Sequence, residues 1–187
     1  VSVSTVDPYE VGAYTVKYNV SDTSGNAAVE VVRTVEVVDT TPPVISLVGE
    51  STVVHEAKTP YTDAGATATD TLDGNLTGSV TSVSTVNSDL VGFYTVKYNV
   101  SDTTGNPAVE VERRVEVVDT TVPVISLVGE ATVVHEARTP YADAGATAID
   151  TLDGNLTAIM ASESTVNPEK LGTYTINYNV SDANGNA

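Results

Sequence analysis

The sequence predicts an all-β protein made of small tandem β-sandwiches, and three observations carry that prediction. The chain repeats itself every 80 residues: Tyr-Asn-Val-Ser-Asp ends at Asp22, Asp102 and Asp182, and about 49 of 69 positions are identical between residues 39–107 and 119–187. A unit of that length is too long for a solenoid repeat and has the size of a small independent domain. Within a unit, Tyr94, Val96, Tyr98 and Val100 alternate with Thr95, Lys97, Asn99 and Ser101. That period of two gives a strand one apolar and one polar face. Short β-branched runs are separated by Gly, Asp, Asn and Pro, and no apolar series falls at helical spacing. Several short strands with frequent turn signals argue for a sandwich.

The repeat sets the expected boundaries. Residues 1–38 match the back half of a unit, residues 39–118 make one complete unit, and residues 119–187 make a third that lacks its last strand. The chain thus reads as an excerpt of a longer array, or as one whose ends neighbouring chains complete. The seam is Val-Val-Asp-Thr-Thr-Pro-Pro at residues 37–43 and Val-Val-Asp-Thr-Thr-Val-Pro at 117–123. Proline fixes φ and donates no hydrogen bond, so a ladder stops there and the linker stays stiff.

The complete unit reads in order as follows. Residues 44–48 form a short apolar strand, Gly49-Glu50 turns it, and residues 52–56 form a second. Lys58-Thr59-Pro60 is a loop, and residues 64–69 are small and fit a strand. Asp70-Thr71-Leu72-Asp73-Gly74-Asn75 is a turn, because Asp, Asn and Gly suit Asx-turns and left-handed positions. Residues 80–86 form a strand with poor alternation, and residues 87–92 a loop. The alternating strand from Tyr94 follows, then a hairpin loop at residues 101–106 and a long last strand at 109–118. Arg33 and Arg113 interrupt the valines of that last strand. A charge there is the expected guard of an edge strand against sheet-to-sheet pairing.

At Gly92-Phe93-Tyr94-Thr95-Val96 the residues resemble the tyrosine corner of immunoglobulin-like domains, with Val96 where antibodies carry cysteine. The wider pattern joins D-T-T-P-P-V-I, G-A-T-A-T-D-x-x-D-G-N-L-T and G-x-Y-T-V-x-Y-x-V-S-D-x-x-G-N. It resembles the bacterial immunoglobulin-like repeats of secreted adhesins and insecticidal crystal-type proteins, relatives of hyaline-repeat and cadherin-like modules. The resemblance implies tandem immunoglobulin-like β-sandwiches, secreted or held at the cell surface, often in stalks. There is no tryptophan, so the core must come from aliphatic residues and tyrosine.

The totals narrow the function. With 25 acids against 8 bases the formal charge is −17. Nucleic-acid binding needs a basic footprint, so it is excluded as a reading, as is attraction to an anionic membrane. No run of about 18 apolar residues could span a bilayer. The absence of cysteine removes disulfides and thiolate metal sites. Neither a Ser-His-Asp grouping nor a nucleophilic cysteine is visible, and a thin sandwich offers no deep pocket, so no enzyme is expected. His55 and His135, one per unit, read as ordinary strand histidines.

Successive loops of a sandwich alternate between its poles. The linker carrying Asp39, the turn with Asp70, Asp73 and Asn75, and the loop with Asp102 are therefore expected at one pole. The next unit brings Asp119, Asp150, Asp153, Asn155 and Asp182 together in the same way. Two carboxylates about 5 Å apart repel by roughly 3 kcal/mol at an effective dielectric near 20. Turns alone also select Asp, Gly and Asn. The meeting of three separate acidic segments is what points to a cation. Ca²⁺ fits, because it takes six to eight oxygens from carboxylates, amides and carbonyls. Asn106 and Thr40 could add oxygens, while Glu56 and Glu136 reach either the seam or solvent. The expected function is a calcium-stiffened stalk or fibre, whose partners are neighbouring repeats of the same chain and possibly like chains. The alternative is a module for binding glycan or for self-association. Residues 78–91, which differ most from 158–171, are then the candidate surface.

Overall fold

The computed structural model describes residues 1–187. Fifteen short strands and two single 3-10 turns make up the regular structure. The first 38 residues form β1 (Ser2–Ser4), β2 (Gly12–Tyr18) and β3 (Val31–Val37), an antiparallel sheet in that order. The complete repeat contributes β4 (Val44–Leu47), β5 (Thr52–Glu56), β6 (Ala66–Asp70), β7 (Gly74–Asn75), β8 (Thr81–Ser84), β9 (Gly92–Asn99) and β10 (Val111–Val118). Two sheets result, β4-β6-β7 and β5-β10-β9-β8. β4 with β6, β6 with β7 and β8 with β9 pair antiparallel, whereas β5 pairs with β10 in parallel from Thr52↔Arg114 to Glu56↔Val118. The third repeat contributes β11 (Val124–Leu127), β12 (Ala146–Asp150), β13 (Gly154–Asn155), β14 (Ala161–Ser164) and β15 (Ile176–Asn179). These pair as β11-β12-β13 and β14-β15.

The architecture is the all-β, immunoglobulin-like sandwich that the repeat and the alternation predict. Most boundaries lie within two residues of the expected ones. The strand expected over residues 80–86 is narrower, because a 3-10 turn at Thr77–Ser79 leads into it. Residues 132–136, the counterpart of β5, form no strand. The parallel partner that β10 supplies to β5 has no counterpart in the sequence for this stretch.

Two compact units make up the chain. The first comprises Val1–Ser51, Asp63–Ser84 and Val96–Arg113. Its buried apolar residues are Ile45, Ala68, Val96, Tyr98 and Val100. The second comprises Thr52–Thr62, Thr85–Thr95 and Arg114–Ala187. It buries Ala57, Val115, Val117, Ala146 and Ala148. Tyrosine and small aliphatics thus make the cores, as the lack of tryptophan requires.

The tyrosine corner is present in all three repeats. The hydroxyls of Tyr14, Tyr94 and Tyr174 donate to the carbonyls of Glu10 (2.8 Å), Leu90 (2.8 Å) and Lys170 (3.1 Å). Lys97 faces outward and pairs with Glu110 at 2.7 Å.

The reading of Arg113 as an edge guard is corrected. β10 lies between β5 and β9, inside its sheet, and Arg113 is only 1% exposed. Its guanidinium pairs with Asp63 and donates to the carbonyls of Glu50 (3.0 Å), Gly65 (3.1 Å) and Val48, and to the Tyr98 hydroxyl (3.3 Å). A charge can be buried when its partner and hydrogen bonds travel with it. Arg33 differs: it is exposed on the outermost strand β3 and lies over the Tyr18 ring at 5.8 Å.

Candidate metal centres

The first centre lies within the first compact unit, and its loops are built by local hydrogen bonds. Asp39 follows β3 in the linker. Its Oδ1 accepts from the Thr41 amide (3.0 Å) and hydroxyl (2.7 Å). Asp70 ends β6, and its Oδ1 accepts from the amides of Leu72 (2.7 Å) and Asp73 (2.9 Å), which closes the turn. Asp102 opens the loop after β9. Its Oδ1 takes the Asn106 amide (2.7 Å) and the Thr104 hydroxyl (3.0 Å), and its Oδ2 takes the Asn106 side chain (2.7 Å). Gly105 in that loop has φ +95°, a conformation that L side chains rarely adopt. The Asn106 side chain also donates to the Asp39 carbonyl (3.2 Å), tying linker to loop.

These three segments bring one oxygen each of Asp39, Asp70 and Asp102 within 4.8 Å of one another. Asp102 is buried and the other two are half-buried. The second oxygens of Asp39 and Asp70 are buried and accept no hydrogen bond. Asp73 is not in this group; Thr103 engages both its oxygens, through the amide (2.7 Å) and the hydroxyl (2.8 Å). Asn75 is exposed and accepts from the Thr77 amide (3.0 Å).

The second centre lies within the second unit. One oxygen each of Asp119, Asp150 and Asp153 falls within 4.8 Å of the others. Asp150 is 4% exposed, and its Oδ2 is buried without a donor, while its Oδ1 holds the amides of Leu152 and Asp153. Asp119 is held by Thr121 through Oδ1, and its Oδ2 accepts from the Asn184 amide group (2.9 Å). Asp182 is buried beside them but outside the trio, its oxygens taken by Asn184 and Asn186. Asn186 also donates to the Asp119 carbonyl (3.0 Å), repeating the tie of the first centre. Asn155, like Asn75, ends its short strand and accepts the amide of the residue two positions on, here Thr157 (3.0 Å).

Hydrogen bonds favour the ionised forms of Asp102 and Asp182. Burial raises the Asp102 carboxyl, but hydrogen bonds from Asn106, Thr104 and Gly105 outweigh it and leave the group below the usual carboxylate range. Asp182 is held low by the same balance, burial against bonds from Asn186, Asn184 and Gly185. A buried carboxylate oxygen without a donor is costly, and such atoms are few in native proteins. A cation among them would supply the missing partner. The donor set is all oxygen and mostly carboxylate, the chemistry of a hard ion such as Ca²⁺ and not of zinc. The histidines take no part: His55 and His135 Nε2 lie 3.0 and 3.1 Å from the carbonyls of Thr59 and Thr139.

Two contributors, Thr103 and Asn184, escaped the sequence reading, while Glu56 takes the seam, one of the two places the sequence left open for it. Glu56 lies beside the second linker, accepting from the Thr120 amide (3.0 Å) and hydroxyl (2.7 Å). Those two bonds hold its carboxyl below the usual range. Thr103 and Asn184 decide which carboxylate oxygens stay unengaged. The only signal for them was that positions 103 and 104 differ from 183 and 184 inside an otherwise repeated loop.

A curated relative, the "Uncharacterized 81.3 kDa protein" of Acholeplasma phage L2, is 27% identical over 188 residues, covering 96% of this chain. The chain spans 25% of that relative's length. A lipoprotein of Bacteroides thetaiotaomicron aligns with TM-score 0.37 and 21% identity over 46% of this chain and 45% of its own. The structure of CBM51-2 in complex with GlcNAc and INT domains from Clostridium perfringens ZmpB aligns with TM-score 0.35 and 26% identity over 48% of this chain and 21% of its own. No helix is long and apolar enough to cross a membrane. The family described as bacterial surface protein, Ig-like domain, matches residues 45–117 and again residues 125–187, in step with the 80-residue repeat. The chain therefore belongs to that family of bacterial surface Ig-like domains.

Proposed function

We propose that this chain is a calcium-stiffened segment of a bacterial surface stalk or fibre, secreted or held at the cell surface, and not a catalyst. Family membership and the all-β fold support an extracellular structural module. The observation that carries the calcium reading is the pair of acidic centres, each with buried carboxylate oxygens that lack a donor.

In the proposed mechanism the linker acid and the pole loops of the repeat that follows would hold Ca²⁺ between them, and the ion would supply the charge that neutralises their carboxylates. Asp39 joins Asp70 and Asp102, and Asp119 joins Asp150 and Asp153. Without the ion, like charges push the linker away from the loops, and asparagine amides oppose them, Asn106 in the first centre and Asn184 and Asn186 in the second. With the ion, linker and loops form one ligand shell. Pro42 and Pro43 continue the restraint, because their φ angles are fixed. An affinity of about 10⁻⁴–10⁻³ M, usual for extracellular modules, would keep the sites loaded outside the cell. The working partners are then neighbouring repeats of the same chain.

Small-angle scattering tests the stiffening. The maximum dimension of the chain should change when calcium is replaced by chelator, and a chain with Asp70→Asn and Asp150→Asn should no longer respond. An unchanged dimension in the unmodified protein would defeat the stiffening proposal.

A further inference from the structure

The two centres differ in which carboxylate completes them. In the first, Asp102 is the third member and Asp73 is absent; in the second, Asp153 is the third member. Asp73 and Asp153 occupy equivalent positions of identical turns, Asp-Thr-Leu-Asp-Gly-Asn. Both accept a backbone amide from the facing loop through Oδ2 at 2.7 Å, from Thr103 in one case and Ala183 in the other. What differs is the other oxygen. The Thr103 hydroxyl donates to Asp73 Oδ1 at 2.8 Å, whereas Ala183 has no hydroxyl to give.

We propose that the residue after the Ser-Asp pair, Thr103 in one repeat and Ala183 in the next, sets whether the turn carboxylate, Asp73 or Asp153, joins its cation site, and so tunes affinity; each site holds three carboxylates as it stands, because Asp182 lies outside the second. Threonine keeps the turn carboxylate in a neutral hydrogen bond. Alanine releases one of its oxygens to the ion. This inference rests on the calcium reading above. It stands on two separate observations: Asp150, which is 4% exposed with an unpartnered oxygen, and the change of membership between two centres whose turns are identical in sequence. Divalent-ion affinity of such modules follows ligand charge count and site rigidity, so adding one carboxylate should matter. Along an array, one small residue per repeat would then grade the order in which junctions load.

The test is calorimetric titration of calcium into the full chain, with one centre silenced at a time. Asp150→Asn leaves the first centre, where Thr103→Ala should tighten binding about fivefold and Thr103→Ser should leave it unchanged. Asp70→Asn leaves the second centre, where Ala183→Thr should weaken binding by about the same factor. The serine control separates loss of the hydroxyl from any general loosening of the loop. Calcium binding that ignores these substitutions, or moves the opposite way, overturns the role given to this position and leaves the metal reading standing. Absence of calcium binding in the unmodified chain overturns both.

Discussion

Arg113 shows how much one side chain can hold. Its planar fork reaches Asp63, Tyr98 and three backbone carbonyls at once. Lysine, a single point charge on a flexible stem, cannot reproduce that geometry. Arg113→Leu removes the guanidinium from Asp63 Oδ1 and from the carbonyls of Glu50, Val48 and Gly65, and breaking a buried pair in this way costs about 3–5 kcal/mol. Arg33→Leu, on an exposed strand, should cost no more than about 0.5 kcal/mol. Urea unfolding of the two variants measures the contrast; equal losses would refute the network. In the third repeat the equivalent Asp143 holds the Tyr178 hydroxyl. That bond, reinforced by burial and by the charge on Asp143, pushes Tyr178 up to about 12, and the same bond holds Asp143 below the usual carboxylate range. The signs are opposite. Stability from Tyr178 is complete below its unfolded value of about 10 and is lost as pH rises toward about 12. Stability from Asp143 is complete above about pH 4 and is lost as pH falls through its lowered folded value. Asp143→Asn should therefore return the Tyr178 titration, followed by ring-carbon NMR shifts, toward about 10.

At the level of strands and loops, the tyrosine corner is the most legible device. Glycine, then tyrosine two residues later, announces it in sequence, and the hydroxyl bond to Leu90 delivers it. Tyr94→Phe keeps the ring and removes that bond, so thermal or chemical unfolding should register a loss of about 1 kcal/mol. A change under a tenth of that would mean the corner is decorative. The alternation from Tyr94 to Val100 made β9 equally readable, because its period states both the strand and its inner face. Arg113 was not readable. A charge among valines marks either an outer strand or a paired interior site, and only the parallel pairing of β5 with β10 decides between them. That pairing joins residues some sixty positions apart, beyond any local pattern. The acidic loops fall between these cases. Alternation of poles was enough to gather Asp39, Asp70 and Asp102. It could not tell that Asp73 would be held by Thr103, or that Asn75 would spend its carbonyl on Thr77, because those are single hydrogen bonds within a turn.

For the whole molecule, the excess of acids raises a rival explanation for any effect of calcium. A chain with formal charge −17 repels itself, and any added salt relieves that by screening. Screening depends on ionic strength, whereas a seated ion depends on its own concentration. The two separate when about 10 mM calcium chloride is compared with about 30 mM sodium chloride, which have equal ionic strength. A site with an affinity of about 10⁻⁴–10⁻³ M gains about 1.4–2.7 kcal/mol at that calcium concentration, by mass action alone. The rise in Tm should thus be clearly larger with calcium than with sodium. Magnesium should fall short of calcium, since it holds its waters and demands near-octahedral geometry. Carrying Asp70→Asn and Asp150→Asn together, the chain should keep the sodium effect and lose the calcium excess. It should also melt higher than the unmodified protein in chelator, because two of the crowded charges are gone. If calcium and sodium prove equivalent at matched ionic strength, the acidic centres are surface charge that merely happens to converge, and the stiffening ion has no seat.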